Sequence, residues 1–487
     1  MRARFGTLVT FSMPLRLHNT ASGKKEEYRS AKAREVTMYT CGPTVYNVAH
    51  IGNLSSFLAA DVLRRWLAAS GYAVRHVMNI TDVDDKTIRG AREAGKSLGE
   101  FTARYEALFR TDLERLNVLE PVFVHATKNI EAMVADVQAL LKKGLAYEKD
   151  GSVYFAIEKF PGYGALAGLE KRNAAPAKHR VDADDYDKDA AEDFVLWKGW
   201  KEEDGEVYWE TPLGKGRPGW HIECSAMIRR HLGDQIDVHT GAADLVFPHH
   251  TNEIAQAEGV TGKRPFVRFW FHRGFLTVDN EKMAKRIGNV LALSDVAKNE
   301  LEALAFRWAI VSSHYRTPLN FTDQSMPAAK AALGRLLAAA DRLEAWETKS
   351  AAADSAAVAV AIDAARKDFS AAMDDDLNTP AAAAAIFDAV KLAERPELSK
   401  GDALLVSEFL EEADAVFGVV AAGLPYWRAA VKRPLSAEEA ATLEKWEEAR
   451  TAKRYEEADA LRVELKAQGI DVRNTPGGTV WQRDPWA

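Results

Sequence analysis

The chain has 487 residues, of which 47% are hydrophobic and 28% charged, and its formal net charge is −7. This length predicts several domains, and the absence of any run of 18 apolar residues excludes a transmembrane helix. The negative charge argues against a protein that binds DNA or RNA over its whole surface, so any RNA contact must come from local basic patches.

The cysteines and the N-terminus bear on location. Cys41 and Cys224 are the two cysteines of the chain, too few for a disulfide framework, which favours a reducing cytoplasmic location. The first 25 residues are basic and lack acidic side chains, as in a targeting segment. Polar interruptions in the apolar run instead favour a short disordered leader over residues 1–13.

The first pattern typical of a nucleotide site is M-Y-T-C-G-P-T-V-Y-N-V-A-H-I-G-N, residues 38–53. A short strand is predicted over 35–40 and an amphipathic helix over 54–69. A helix N-terminus after a strand binds phosphate well, because free N–H groups and the positive end of the helix dipole point at the ligand. On its own, the segment 50–53 fits equally well with an ordinary helix start beside a solvated histidine.

A second strand, predicted over 73–81, leads into Asp82, Asp84 and Asp85. These carboxylates could bind a cation or a polar substrate, and helix capping explains them equally well. Residues 99–144 are predicted to be helical, with a break at Pro121. A hairpin is predicted at Asp150-Gly151, followed by a mobile loop over 171–193, so 145–215 is interpreted as a domain inserted into the sheet protein.

The sheet is predicted to resume over 236–239 and again over 267–271, ahead of the loop E-K-M-A-K-R-I-G-N at 281–289. Between these strands, Pro248 favours a helix start that places His249 and Glu253 on one face. Beyond residue 295 the pattern is helical, notably over 328–343, 352–368, 436–449 and 455–468. Pro425 and Pro434 are predicted to bracket a linker, and 479–481 a short strand.

One group of residues has the chemistry of a metal site: Cys41, Cys224, His249 and Glu253. Zinc accepts thiolate, imidazole and carboxylate ligands in tetrahedral geometry. The alternative is a pair of buried structural cysteines with a surface histidine pair, His249-His250. Trp220, four residues before Cys224, would wall a pocket at the metal or belong to the core.

A second group suits phosphate chemistry. His50 and Asn53 lie at the helix start, and Lys282 and Lys285 lie in the loop far along the chain. Such groups stabilise the charge that develops when an α-phosphate is attacked and pyrophosphate leaves. A solvated surface loop is the ordinary explanation of two lysines, and their combination with the helix start favours a nucleotide site.

Read together, these motifs resemble the class I aminoacyl-tRNA synthetases. H-I-G-N occupies the position of their "HIGH" signature and K-M-A-K-R that of "KMSKS", with Ala284 and Arg286 in place of the serines. More narrowly, the chain resembles the cysteinyl-tRNA synthetases from about residue 15 to 482. The stretches that carry this resemblance are N-I-T-D-V-D-D-K, F-V-L-W-K-G-W, G-R-P-G-W-H-I-E-C-S-A-M, F-P-H-H-T-N-E-I-A-Q and M-D-D-D-L-N-T-P, together with the segment at 38–53.

The resemblance implies an α/β fold: a Rossmann-like catalytic domain with a parallel sheet and an inserted connective domain, then a helical bundle and a small C-terminal α/β anticodon-binding region. The implied bounds are 1–144 and 216–294 for the catalytic halves, 145–215 for the insertion, 295–430 for the bundle and 431–487 for the tail. Basic tail residues that could meet tRNA phosphates are Lys453, Arg454, Arg462, Lys466, Arg473 and Arg483.

The resemblance also implies ligands and roles. One zinc ion would be held by Cys41, Cys224, His249 and Glu253. The cysteine pocket would comprise Trp220, Thr81, His239 and Asp244. ATP, with Mg²⁺, would be bound by Gly42, Thr44, His50, Gly52, Asn53 and Lys285, and the catalytic groups would be His50, Asn53, Lys282 and Lys285.

The implied activity is ATP-dependent joining of L-cysteine to tRNA(Cys) through a cysteinyl-adenylate. One alternative is the related ligase that joins cysteine to an amino-sugar in mycothiol synthesis, which lacks a long tail. The other is a non-catalytic, synthetase-like regulator, which loss of His50, Lys285 or a zinc ligand would favour. The sequence leaves the oligomeric state open, a monomer included.

Overall fold

The computed structural model describes residues 14–169, 193–283, 287–345, 355–395, 398–475 and 478–486. The predicted leader and, apart from Asp193, the predicted mobile loop lie outside these ranges. The helices are α1 (Ile51–Ala69), α2 (Asp85–Glu93), α3 (Leu98–Arg115), α4 (Ile130–Lys142), α5 (Trp220–His231), α6 (Thr251–Thr261), α7 (Leu293–Val296), α8 (Glu300–Val311), α9 (Ser325–Ala345), α10 (Ala356–Asp374), α11 (Thr379–Ala393), α12 (Lys400–Phe417), α13 (Val420–Val431), α14 (Ala437–Thr451) and α15 (Tyr455–Ala467). The strands are β1 (Arg16–Asn19), β2 (Lys24–Glu27), β3 (Glu35–Thr40), β4 (Ala73–Ile80), β5 (Val122–His125), β6 (Ala146–Lys149), β7 (Ser152–Phe155), β8 (Phe194–Gly199), β9 (Trp209–Thr211), β10 (Gly214–Pro218), β11 (Ile236–Ala242), β12 (Val267–Arg273), β13 (Leu276–Val278), β14 (Glu281–Lys282), β15 (Leu319–Phe321), β16 (Ile470–Thr475) and β17 (Gly478–Arg483).

Contacts divide the chain into two units. The first comprises Met1–Asp295, Ile310–Thr322 and Lys367–Ala384, and the second comprises Val296–Ala309, Asp323–Arg366 and Ala385–Ala487. The five-part division drawn from the sequence is finer than this and stays a prediction.

A parallel sheet with strand order β12-β11-β3-β4-β5 lies at the centre of the first unit. Four of its strands were predicted to within three residues, because buried parallel strands are nearly continuous apolar runs. The chain starts this sheet in the middle, at β3, and later returns to its other side at β11. Ligand sites of open α/β sheets lie at such a reversal, beyond the carboxyl ends of the strands, and Cys41 directly follows β3 there.

The edge strand β5 and the start of α1 differ from the prediction. Residues 122–125 were expected to belong to a helical stretch broken at Pro121, whereas they form a four-residue strand whose first residue, Val122, is 57% exposed. A strand this short has too little pattern of its own to be recognised beside that break. Helix α1 begins at Ile51, three residues before the predicted start, because His50 caps it with its side chain.

The three acidic side chains after β4 all have protein partners, and one of them, Asp84, caps a helix as the capping interpretation expected. Asp84 caps α2, accepting from the Lys86 amide at 2.7 Å. Asp82 accepts from the Thr127 amide at 2.9 Å, and Asp85 forms ion pairs with Lys198 and Arg217. A cation site is therefore not needed to explain them.

An antiparallel sheet, ordered β6-β7-β8-β10-β9, occupies the predicted insertion and extends three residues past it, because β10 ends at Pro218. The predicted hairpin joins β6 to β7, and its turn needs Asp150 and Gly151 at positive φ, 51° and 77°. Trp197 of β8 is fully buried in the same hydrophobic cluster as Cys224 of α5. This sheet and α5 therefore share a core.

The second unit is mainly helical, and the linker predicted between Pro425 and Pro434 is wrong at its start. Helix α13 runs from Val420 through Pro425 to Val431. Burial of Trp427 and the close approach of Gly423 to Leu337 hold this helix on both sides of the proline. None of the described helices has the length and apolar composition needed to cross a membrane.

The C-terminal segment contains α14, α15 and the antiparallel pair β16–β17. Both helices were predicted to within two residues, whereas β16 was missed. The segment has a hydrophobic cluster of its own, made of Trp446, Ala449, Ala458, Leu465, Ile470 and Val472. Arg483, predicted to meet tRNA, is only 3% exposed and is paired with Glu439 at 2.5 Å. That expectation is therefore wrong.

Candidate metal and nucleotide site

Four separate elements bring the predicted metal ligands together. Cys41 follows β3, Cys224 lies on α5, His249 lies in the irregular turn before α6, and Glu253 lies in the first turn of α6. Their ligand atoms all lie within 4.8 Å of one another. Because the strands end at one edge of the sheet, residues more than 200 positions apart converge at this edge.

The geometry of the cluster suits a tetrahedral metal. Cys41 Sγ lies 3.9 Å from Cys224 Sγ and 3.7 Å from Glu253 Oε1, and His249 Nε2 lies 2.8 Å from Glu253 Oε1. Two sulfurs bound at about 2.3 Å with tetrahedral angles are about 3.8 Å apart. The donor set of two thiolates, one imidazole and one carboxylate therefore fits zinc.

The cluster is buried and charged. A hydrogen bond from Cys41 lowers the pKa of Cys224 to about 6, whereas burial raises the pKa of Cys41 well above its ordinary value. Burial alone would lower the pKa of His249, but Glu253 and Cys224 raise it to about 10. Burial also opposes ionisation of Glu253, yet His239 and His249 hold its pKa well below the usual range.

A layer of aromatic rings surrounds His249. The ring of Trp220 stacks on that of His249 with 4.3 Å between centroids, so Trp220 lines the predicted pocket. His221 Nδ1 lies 2.9 Å from His249 Nδ1. Because burial lowers the pKa of His221 well below its ordinary value, the neutral His221 can accept this hydrogen bond and leave His249 Nε2 facing the cluster. Such outer hydrogen bonds orient metal-binding histidines.

A second set of donors overlaps the first: Cys41, His239, His250 and Glu253. His239 Nε2 lies 2.8 Å from Glu253 Oε2, and His250 Nε2 lies 3.4 Å from Cys41 Sγ. This set offers zinc one thiolate instead of two. His249 and His250 are 1% and 0% exposed, so the alternative of a surface histidine pair is wrong.

Sequence reasoning missed the supporting histidines. His250 Nδ1 lies 2.7 Å from His272 Nε2, and His272 Nδ1 lies 2.7 Å from the Thr20 hydroxyl. His221 and His250 each stand beside a predicted site residue in sequence, which was the available signal. Their ring contacts depend on tertiary placement, which sequence spacing does not give.

The other predicted pocket residues lie at two depths. Thr81 and His239 are 1% and 0% exposed, and His239 Nδ1 has no hydrogen-bond partner among the described residues. Asp244 is exposed, in a short helical turn after β11. Burial lowers the pKa of His50, and the nearby charge of Asp244 raises it in part. Asp244 of the predicted cysteine pocket therefore lies close to the predicted phosphate region.

His50 forms a reciprocal cap with Asn53 at the start of α1. The Asn53 amide donates to His50 Nδ1 at 3.2 Å, and the His50 amide donates to Asn53 Oδ1 at 3.3 Å. Since Nδ1 accepts, the ring proton of the neutral form sits on Nε2, which has no partner among the described residues and can donate to a ligand. Burial lowers the pKa of His50, so the neutral form is favoured. The Gly52 amide also has no partner among the described residues and lies at the positive end of the helix.

The lysine loop lies against this helix start. The Ile51 amide donates to the Leu291 carbonyl at 2.8 Å, and a Cβ on Gly52 would lie 2.6 Å from Met283 Cε. A side chain at position 52 would therefore require Met283 to move. Lys282 is exposed, with its ammonium 5.3 Å from the centre of the Phe275 ring, and Lys285 lies outside the described residues.

Gly42 and Thr44 are fixed within the protein. A Cβ on Gly42 would lie 1.8 Å from the Asn79 carbonyl oxygen, and the Gly42 amide donates to Asn79 Oδ1 at 2.8 Å. Thr44 pairs with Thr81 in an isolated bridge. Packing explains the glycine at 42, and the predicted ATP contacts of Gly42 and Thr44 stay predictions.

Comparison with protein families matches three segments of the chain. Residues 27–331 match the catalytic domain of class I (C) tRNA synthetases, 368–421 match the DALR domain, and 432–481 match the cysteinyl-tRNA ligase anticodon binding domain.

Individual relatives match along nearly the whole length. The cysteine–tRNA ligase of Protochlamydia amoebophila is 40% identical over 476 residues, covering 96% of this chain and 98% of that protein. That of Solibacter usitatus is 42% identical over 480 residues, with 97% and 100% covered. Among solved structures, Mycobacterium tuberculosis methionyl-tRNA synthetase with methionyl-adenylate aligns with a TM-score of 0.56 at 16% identity, covering 81% of this chain and 92% of that one. This last likeness concerns the fold.

Proposed function

The chain belongs to the cysteine–tRNA ligases, a family of class I aminoacyl-tRNA synthetases, and we propose that it charges tRNA(Cys) through a cysteinyl-adenylate, with zinc recognising the substrate sulfur. The observation that carries this proposal is the convergence of two thiols, an imidazole and a carboxylate beside a helix N-terminus. The direct test is cysteine-dependent ATP–pyrophosphate exchange, followed by aminoacylation of tRNA(Cys), with metal content measured on the same protein.

Selectivity for cysteine would come from the metal pocket. Cys41, Cys224, His249 and Glu253 would hold zinc, which would take the substrate sulfur by expanding to a fifth ligand, and a thiolate fills such a position far more strongly than a hydroxyl. Trp220, stacked on His249, would wall the pocket and exclude water from the side chain of cysteine. A site that binds the thiol of cysteine directly can reject serine more strongly than an apolar pocket of the same shape could.

The helix start would serve the first chemical step. The cysteine carboxylate attacks the α-phosphate of ATP, an oxygen–phosphorus bond forms, and pyrophosphate leaves. His50 Nε2–H and the Gly52 amide would donate to the phosphoryl oxygens as charge develops there. Lys282 and Lys285 would neutralise the departing pyrophosphate together with Mg²⁺. No side chain of the protein needs to become covalently attached.

In the second step the terminal ribose hydroxyl of tRNA attacks the carbonyl of the adenylate and AMP leaves. The match of 432–481 to an anticodon-binding domain favours this acceptor over the amino-sugar of mycothiol synthesis. Exposed basic side chains of this segment that would meet phosphates are Lys453, Arg454, Arg462, Lys466 and Arg473.

Deletion of residues 432–487 is expected to reduce aminoacylation much more than adenylate formation. The segment has its own hydrophobic cluster, and the metal and nucleotide groups all lie within the first unit. Steady-state aminoacylation and pyrophosphate exchange on the full and shortened chains measure the two steps. Since Trp486 lies near Trp427, Trp486→Ala in the full chain controls for loss of that packing. Equal loss of both steps would contradict an anticodon role.

Zinc uptake is expected to release about two protons at neutral pH, because zinc ligands bind in their deprotonated forms. The raised pKa values of Cys41 and His249 keep both groups protonated before binding, whereas Cys224 and Glu253 are already ionised. Zinc affinity should therefore rise with pH through the neutral range and fall on acidification. Calorimetric titration of metal-free protein in buffers of different ionisation enthalpy counts the protons. Uptake without proton release would contradict the proposed ligand set.

A further inference from the structure

A row of hydrogen bonds runs from Gly42 to Glu223 behind the two cysteines. The Gly42 amide donates to Asn79 Oδ1 at 2.8 Å, Asn79 Nδ2 donates to Thr81 Oγ1 at 3.1 Å, and Thr81 Oγ1 donates to Glu223 Oε2 at 2.9 Å. All the donors point toward Glu223, so each bond polarises the next in the same sense.

The two ends of this row adjoin the two sulfur ligands. Gly42 directly follows Cys41, at the end of β3, and Glu223 directly precedes Cys224, on α5. The middle of the row belongs to β4 and the residue after it. The row therefore ties together, through a third element, the two segments that carry the sulfurs.

Burial makes the row a strong constraint. Asn79, Thr81 and Glu223 are 2%, 1% and 1% exposed, so water cannot readily replace a broken bond, and a buried polar group left unpaired is costly. At the first end, a Cβ on Gly42 would lie 1.8 Å from the Asn79 carbonyl oxygen. The backbone after Cys41 therefore lies directly against the backbone of Asn79.

We infer that Asn79, Thr81 and Glu223 are positioning residues that hold the sulfurs of Cys41 and Cys224 at the separation a tetrahedral metal requires. The observed sulfur–sulfur distance is 3.9 Å, against about 3.8 Å for two sulfurs on one zinc ion. In the absence of the row, two thiols on independent elements would have to be drawn together on metal binding. This inference rests on the proposed zinc site and adds residues that do not themselves bind the metal.

The test compares paired variants of the full chain. Thr81→Val removes the hydroxyl at nearly constant volume and Glu223→Ala removes the acceptor, whereas Thr81→Ser and Glu223→Gln each keep an oxygen for the row. Ser225→Ala is the matched control, since Ser225 flanks Cys224 on the other side and bonds to Gln256. Zinc affinity is measured by competition with a chelator, and cobalt(II) replaces zinc to give the sulfur-to-metal charge-transfer band.

Thr81→Val and Glu223→Ala are expected to weaken zinc binding by about 10- to 100-fold, the usual loss for an outer partner of a metal ligand, and to shift or weaken the cobalt band. The Ser and Gln variants and the control should stay close to the parent. Should one loss variant not fold, the other decides by the same titration. Parental affinity and band in a folded loss variant, or equal loss in Ser225→Ala, would overturn the inference. A parent chain that binds no zinc would instead count against the proposed function.

Discussion

Cys224→Ser is expected to abolish cysteine-dependent ATP–pyrophosphate exchange, with a loss greater than the about 100-fold that removal of a mere supporting residue can cost. A serine hydroxyl is a harder and far less acidic donor than a thiol, so the site loses one of its two sulfur ligands. Cys224 also lies 3.9 Å from Cys41, so its replacement changes the charge and geometry of the partner sulfur.

The fold should survive this substitution. Cys224 lies on α5, whose neighbouring residues Ile222, Ala226 and Met227 are packed in the core, and serine is close to cysteine in size. His249 and Glu253 remain paired with each other. Circular dichroism and thermal unfolding check the fold, while metal analysis and exchange follow the site. Chelation of the parent should produce the same loss, reversed by added zinc, and unchanged exchange in a demonstrably zinc-free protein would contradict the prediction.

The sequence located the central strands because buried parallel strands are apolar runs bounded by polar residues. It missed β5, a four-residue strand with an exposed first residue, Val122. It also predicted a linker from Pro425 to Pro434, where tertiary packing continues α13 through Pro425 to Val431. In both places contacts distant in sequence override the local pattern. Such contacts are not recorded in spacing or composition.

The site shows the same division. Cys41, Cys224, His249 and Glu253 were grouped from their chemistry, and the structure brings them together. The hydrogen bonds of Asn79 and Glu223 could not be foreseen, because they join three elements through side-chain orientation alone. Arg483 was assigned to tRNA because sequence does not distinguish an exposed arginine from one buried against Glu439.

His50→Ala is expected to lower the rate of adenylate formation by about 100- to 1,000-fold, the usual cost of removing one donor that stabilises transition-state charge. The Michaelis constant for cysteine should change little, because His50 would act on the phosphate. Alanine also removes the cap of α1, at a cost of about 1 kcal/mol. Single-turnover formation of the adenylate measures the chemical step.

His50→Asn separates the two roles. Asparagine caps helices well but is too short to present a donor where His50 Nε2–H lies, so stability should recover while the rate stays low. Burial lowers the pKa of His50, so the neutral ring, with Asn53 donating to Nδ1, persists through neutral pH. Protonation at lower pH breaks that bond, so the rate should be flat across neutrality and fall only at more acid pH. A parental rate in His50→Asn would rule out this role. A rate change in the parent centred on the ordinary histidine pKa of about 6.5 would instead contradict the lowered pKa of His50.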